Sequence, residues 1–416
     1  MTVFEIHCDS GATPGRIFPG IQETSMKLRR REFLAAAAAT TASPYLLAQD
    51  MPGVGSTEIR LGMTLPLTGA AAAYGALGRT FEAYFAQVND AGGINGRKIR
   101  VFLADDGFAP NRSLEQVRRL VERDQVLAVV GQTGTATSLA TRKYLNDAKV
   151  PQIFVLSGAP TYTNDIEQYP WSLPWLPAYR IEGGVIAKHI ATARPGARLG
   201  VLYQNDDAGK GFLTGLKAAV RPGQIVKEES FEATDPTVDS QVLALKAAGA
   251  DTLVVFGIPK STAQALRRAF DSDWKPQVYI SSIAVSIPQV LEPAGLDKCK
   301  GVISTAYLKD PADPAWTNDA AMKEFLAFMK KRAPQVPLDN LSALGVSIAT
   351  ATMHLLKQCG KDLSRQNVVN QTMNLDMELP LVLPGLRVQT SPKQRELFTA
   401  MRLQEFDGAR WALMRA

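Results

Sequence analysis

The chain has 416 residues, 46% hydrophobic and 21% charged, with a formal net charge of +6. That is the composition of a soluble globular protein with room for two domains. No Lys/Arg run exceeds Arg29-Arg30-Arg31, which argues against a nucleic-acid partner.

The first 48 residues read as an extension plus a targeting signal. Leu28-Arg29-Arg30-Arg31-Glu32-Phe33-Leu34 opens an apolar run, Ala35 to Ala39, that ends near Leu46-Leu47-Ala48-Gln49. A basic start, an apolar middle and a small-residue end fit a secretory signal, and Arg30-Arg31 before Glu32-Phe33-Leu34 resembles a twin-arginine signal. The apolar run is shorter than the ~20 residues a membrane span needs. Cleavage is expected after Ala48. Met26 is the expected true start, which leaves residues 1–25, with His7 and Cys8, as an extension. Cys299 and Cys359 then remain. In an exported chain they are either a disulfide or two unpaired small hydrophobes, and sequence spacing does not decide between these.

After Gly53-Val54-Gly55-Ser56, the stretch Ile59–Met63 reads as a strand closed by Leu65-Pro66-Leu67-Thr68-Gly69. Leu77, Phe81, Tyr84, Phe85 and Val88 fall on one face of a helix over 75–89. A tight turn at Gly92–Gly96 leads to a strand over 98–106 and a helix over 111–123. Val126–Val130 is an apolar, β-branched strand. It runs into Gly131-Gln132-Thr133-Gly134-Thr135-Ala136-Thr137-Ser138, a turn of small residues and hydroxyls before a helical pattern over 139–145. Such a turn offers hydroxyls and free N–H groups to a small anion such as a carboxylate. An ordinary capped loop explains the same residues. Strand Pro151–Leu156 ends in a second small-residue turn, Ser157-Gly158-Ala159-Pro160.

The proline- and aromatic-rich stretch Tyr169–Pro177 suits neither helix nor central strand and reads as a crossover. The pattern then restarts: strands over 198–203, 224–229, 251–256, 277–280 and 302–307, with helices over 209–220, 238–248 and 262–270. Helices over 319–331 and 341–358 and a strand over 401–408 close the chain. Strand–helix alternation predicts parallel sheets with right-handed crossovers and a ligand at the carboxyl ends of the strands.

No motif for chemistry stands out. Leu65 to Gly78 lacks the Gly-x-Gly-x-x-Gly of a dinucleotide site. His189 and His354 lie in apolar helical patterns without a nucleophile elbow, and no metal-ligand cluster is visible. A dinucleotide-dependent enzyme, a Ser-His-Asp hydrolase and a metal site are not expected, and no cofactor is implied.

An ordered series of residues carries a resemblance: Ile59-Arg60-Leu61-Gly62, Pro66-Leu67-Thr68-Gly69, Tyr74-Gly75, Asp90-Ala91-Gly92-Gly93-Ile94-Asn95-Gly96, Asp105-Asp106, Val129-Val130-Gly131, Val150-Pro151-Gln152 and Ala247-Ala248-Gly249-Ala250-Asp251. From about Glu58 onward the chain resembles the type I periplasmic solute-binding proteins of branched-chain-amino-acid ABC importers (the leucine/isoleucine/valine-binding type). The resemblance implies two Rossmann-like α/β lobes with parallel sheets, joined by three hinge crossovers and closing on a ligand. Lobe 1 is expected over 58–175 plus 307–388 and lobe 2 over 176–306 plus 389–416, with crossovers near 171–176, 305–307 and 386–390.

It further implies a periplasmic, monomeric ligand-binding subunit that delivers its ligand to an ABC permease. An amide binder or a ligand sensor of the same fold is the alternative. The implied ligand residues are Thr135, Ser157, Gly158 and Ala159 for a carboxylate and Tyr74 for the ligand body. In the second lobe the chain departs from the pattern. Ala208-Gly209 stands where the family has Tyr-Gly, and Ser281-Ser282 stands where amino-acid binders have an acid for the ammonium group. Phe108 and Gly134 stand at about the places of a family cysteine pair. Ser281 and Ser282 join the expected site. Without the acid, the expected ligand is an aromatic or branched aliphatic carboxylate lacking an α-amino group, and branched-chain amino acids are the alternative. Asp206, Asp207 and Asp339 are candidates to replace the missing acid.

Overall fold

A computed structural model describes residues 51–414. The twin-arginine stretch, the expected cleavage after Ala48, and His7 and Cys8 lie outside the described residues.

The first sheet has five strands: β1 (Glu58–Leu65), β2 (Lys98–Asp105), β3 (Ala128–Val130), β4 (Gln152–Val155) and β5 (Ser172–Pro174), in the order β2-β1-β3-β4-β5 and all parallel. The register sets Leu61 beside Ala128 and Val129 beside Gln152. Helices α1 (Gly75–Asp90), α2 (Pro110–Glu122) and α3 (Thr135–Asp147) connect these strands. Every residue of β3 and β4 is buried, as expected of parallel strands covered on both faces.

The chain then passes to a second sheet. It holds β6 (Leu199–Gln204), β7 (Ile225–Phe231), β8 (Thr252–Phe256), β9 (Gln277–Ile280) and β10 (Ile303–Ala306), all parallel to their neighbours. Helices α4 (Tyr179–Ala193), α5 (Asp207–Lys217), α6 (Asp239–Ala247) and α7 (Pro259–Asp271) belong to this half. After β10 the chain returns to the first half. There α8 (Ala320–Arg332) and α9 (Asn340–Gln358) pack on α1, and α10 (Arg365–Thr372) follows.

Residues 386–390, where the third crossover is expected, include β12 (Val388–Gln389), which forms a short antiparallel ladder with β11 (Asp376–Met377). The passage to the second sheet follows it. That sheet ends with β13 (Arg402–Phe406) and β14 (Trp411–Leu413) in the order β14-β13-β10-β9-β8-β6-β7. Both added strands run antiparallel, Thr305 pairing with Leu403 and Phe406 with Trp411, so this sheet is mixed at one edge. The α/β architecture of two sheets is as the resemblance implies.

Aromatic side chains pack together where the three crossovers meet. Trp175 follows β5, Tyr307 follows β10 and Phe398 precedes β13. Trp175 and Phe398 lie 5.6 Å apart between ring centres, and Tyr307 and Phe398 lie 5.0 Å apart. All three are buried, and one continuous apolar core runs from the first sheet through them into the second. Cys299 and Cys359 do not pair; each is a buried free thiol, pushed up to about 12 by burial. No helix among the described residues is long and apolar enough to cross a membrane.

Candidate functional site

A cleft of about 880 Å³, counted with its part open to solvent, lies where the carboxyl ends of the strands of both sheets face each other. Strand ends in such sheets leave unpaired backbone groups and loop side chains in one crevice. Most of the lining is apolar: Phe108, Leu156, Leu176, Phe256, Ile258, Ile283, Val285 and Leu344 among others.

The first wall comes from the turn after β3. Gly134 is the N-cap of α3, at φ +99°, and offers no capping side chain. The first N–H groups of α3 therefore have no intrahelical partner, and Gly134 and Thr135 both line the cleft. A Cβ on Gly134 would stand 2.5 Å from a ring carbon of Phe108. The two positions that stand in for the family's cysteine pair are thus in contact, with a phenyl ring over a glycine. Phe108 is itself at φ +63°, a strained conformation for a bulky residue, and its N–H donates to Asp106 Oδ1 at 2.9 Å. Asp106 is fully buried, its other oxygen has no partner, and burial raises its pKa to about 6. Thr135 and Ser157 bond through their hydroxyls at 2.8 Å, and Ala159 N–H donates to Ser157 Oγ at 3.2 Å. A Cβ on Gly158 would meet the Pro177 carbonyl at 2.2 Å, so only glycine lets the chain pass there.

The second wall is organised by an acid that the sequence does not signal. Glu182, in the first turn of α4, is 2% exposed. Ser282 N–H donates to its Oε1 at 2.6 Å, Thr305 Oγ1 donates to the same oxygen at 2.8 Å, and Ser281 Oγ donates across both oxygens at 3.1 Å. Burial raises its pKa, and these donors pull it back. The position after β9 indeed carries no acid, but an acid reaches that place from another element. It stands behind Ser282 and Thr305, which line the cleft, and does not line it itself.

At the rim, Lys309 Nζ pairs with Asp319 at 2.8 Å and lies over the Trp316 ring. Asp310 lines the cleft beside it, its pKa raised to about 6 chiefly by burial and also by Asp339 and Asp313. Asn340 lines the cleft at the start of α9, and its Oδ1 is buried without a donor. Three contacts join the two halves across the cleft. Tyr74 Oη donates to the Ile283 carbonyl at 3.4 Å, Ser286 Oγ donates to Asp339 Oδ2 at 2.5 Å, and Thr161 Oγ1 donates to Asp207 at 3.1 Å.

The structure therefore brings Tyr74, Thr135 and Ser282 together on the cleft surface. Ser157, Gly158, Ala159 and Ser281 stand behind it, because their polar groups and close contacts are spent on holding the walls. The three acids considered as replacements are also occupied. Asp206 caps α5 and accepts from Gln204, Asp207 meets Thr161, and Asp339 caps α9. The turn at Gly257–Lys260 contributes Ile258 and not Lys260. Glu182, Asp310 and Asn340 were missed. Asp310 had a signal, since it lies just past the carboxyl end of a strand. Glu182 had none beyond its place in a helical first turn, common for an acid.

A family model described as periplasmic binding protein matches residues 58–410. The chain is 26% identical over 272 residues to the Leu/Ile/Val-binding protein homolog 1 of Brucella abortus, covering 62% of this chain and 68% of that protein. It is 25% identical over 291 residues to the leucine-, isoleucine-, valine-, threonine- and alanine-binding protein of Pseudomonas aeruginosa, covering 68% and 74%. A substrate-binding periplasmic protein from Ralstonia solanacearum has the same fold, with a TM-score of 0.76 at 24% identity over 86% of this chain and all of that one. With a family match spanning most of its length, the chain belongs to the periplasmic binding proteins, a family of non-enzymatic solute binders.

Proposed function

We propose that the protein captures a small carboxylate with an aromatic or branched aliphatic body and hands it to an ABC permease. The observation that carries this reading is the first wall. A glycine-capped helix N-terminus opens on a cleft that is otherwise largely apolar, and free N–H groups at a positive helix end suit a carboxylate. Thr135 and Tyr74 are the proposed contacts on this side and Ser282 on the other, with Ser157, Gly158, Ala159 and Ser281 as support. The proposed lobes are 58–175 with 307–388, and 176–306 with 389–416. They close as a monomer over the ligand, after export by the route that Arg30-Arg31 suggests.

Branched-chain amino acids are the second reading. The Brucella and Pseudomonas relatives are named for them, and Asp310 places an acid on the cleft surface. Calorimetry against benzoate, 4-methylpentanoate and leucine separates the two. Binding of the acids with little response to leucine is expected. Tight leucine binding with silence from both acids would show the second reading right.

A further inference from the structure

The cleft has a second polar end that the carboxylate does not use. Asp310 and Asn340 both line it, one just past β10 and the other at the start of α9. Asp310 Oδ1 accepts from Ala312 N–H at 2.8 Å, and no cation pairs with Asp310 among the described residues. The neighbouring ammonium, Lys309, is turned to Asp319 at 2.8 Å. Asn340 Oδ1 is buried and accepts from nothing. The other carboxylates around this end, Asp313 and Asp339, are acceptors already engaged as helix caps. An unpaired buried acceptor costs free energy that a ligand donor can recover.

The geometry points to a second polar subsite formed by Asp310 and Asn340, whose carboxylate and amide oxygens select ligands that carry an N–H or O–H donor besides their carboxylate. This rests on the reading of the cleft as a carboxylate site and narrows it. A purely hydrocarbon acid brings no donor to Asn340 Oδ1 and leaves Asp310 with Ala312 N–H alone, whereas a donor-bearing acid can bond to this end. Asp310 is then the specificity-determining residue.

The test is isothermal titration of the wild type, Asp310→Ala and Asp310→Asn with two matched pairs: 4-hydroxybenzoate against benzoate, and leucine against 4-methylpentanoate. In the wild type 4-hydroxybenzoate should be favoured over benzoate by about tenfold or more, the scale of one hydrogen bond to a charged group. In Asp310→Ala that preference should fall to about twofold or less, while Asp310→Asn, which keeps an acceptor oxygen, retains part of the preference for the hydroxyl. Thermal unfolding of the variants at the wild-type temperature shows the fold intact. Equal binding of benzoate and 4-hydroxybenzoate, or a preference that survives Asp310→Ala, overturns the subsite and leaves the carboxylate reading standing. Binding of leucine alone, with its advantage over 4-methylpentanoate lost in Asp310→Ala, supports the subsite and overturns the reading of the ligand as lacking an amino group. Four silent titrations overturn both.

Discussion

Each wall of the cleft sets a few hydroxyls and backbone groups at strand ends into an apolar lining, and each has a buried carboxylate close by. They differ in how that carboxylate is held. Behind the second wall, Glu182 accepts from three groups on two different strand ends, and both its oxygens are used. Behind the first, Asp106 accepts from Phe108 N–H through one oxygen and leaves the other unpartnered. Glu182 therefore ties elements together, and Asp106 is a charge that the fold carries at a cost. A buried acid is evidence of stabilisation only when its partners are counted. Substitutions at four positions test that contrast.

The largest effect is expected at Glu182. Glu182→Ala leaves the Ser281 and Thr305 hydroxyls and the Ser282 N–H without their buried acceptor, at roughly 1–3 kcal/mol for each group left unsatisfied. Urea unfolding followed by circular dichroism should show a loss of about 3 kcal/mol or more. Glu182→Gln keeps one acceptor oxygen and should lose about half as much. A change below about 1 kcal/mol for the alanine variant would mean that the desolvation of this anion cancels its bonds, and the two walls would then be alike.

Asp106 should respond in the opposite sense. Its pKa is raised from 3.8 to about 6 in the folded chain, so the native state holds its proton more tightly than the unfolded state does. Stability from this group is greatest at low pH, falls as pH rises from about 4 to 6, and is flat above. The shift corresponds to roughly 2–3 kcal/mol at neutral pH. Asp106→Asn keeps an acceptor for Phe108 N–H and removes the charge. It should raise the unfolding free energy by about 2 kcal/mol at pH 7.5 and by little at pH 4. Equal stabilisation at both pH values would assign the effect to packing and not to charge.

Gly158 tests whether the first wall is set by close packing. A Cβ there would stand 2.2 Å from the Pro177 carbonyl oxygen, so backbone must move. Gly158→Ala should cost about 2 kcal/mol of stability, within the usual range for overpacking, and should weaken binding because the shift is passed to Ser157 and Thr135. A variant of wild-type stability would show that the crossover at Pro177 yields easily.

Much of this architecture is legible in the sequence, because parallel strands buried on both faces leave continuous apolar runs. Val126–Val130 and Asp251–Phe256 show it directly, and the small-residue turns mark their carboxyl ends. The antiparallel edge formed by Arg402–Phe406 and Trp411–Leu413 was not legible, since an amphipathic edge strand reads the same in either direction. The ladder of Asp376–Met377 with Val388–Gln389 is two residues long on each side and leaves no periodic trace. The site divides similarly. Thr135 lies in a small-residue turn that the sequence shows, whereas Tyr74 and Ser282 come from the family resemblance. Glu182 reaches Ser281 from a helix 99 residues earlier in the chain, and only the tertiary structure places the two together.

Thr135 carries the smallest and most specific expectation. Its hydroxyl bonds to Ser157 at 2.8 Å, and its side chain stands at the mouth of a helix whose first N–H groups are free. If a carboxylate docks there, the Thr135 hydroxyl can donate to it while Ser157, held by Ala159 N–H, keeps the turn in place. Thr135→Ala should then weaken binding of a carboxylate by about 1.5 kcal/mol, the low end for a hydrogen bond to a charged group, because the backbone N–H groups remain. Thr135→Ser should lose much less. Thr135 lines a largely apolar cleft, so a serine variant, which lacks the methyl, also reports how much of its effect is packing. Titration of both variants with benzoate, beside their unfolding free energies, separates the two contributions. Loss of stability without loss of affinity in Thr135→Ala would make the residue part of the wall and not of the site. The first wall would then hold its ligand by backbone alone, while the second presents hydroxyls anchored to an anion.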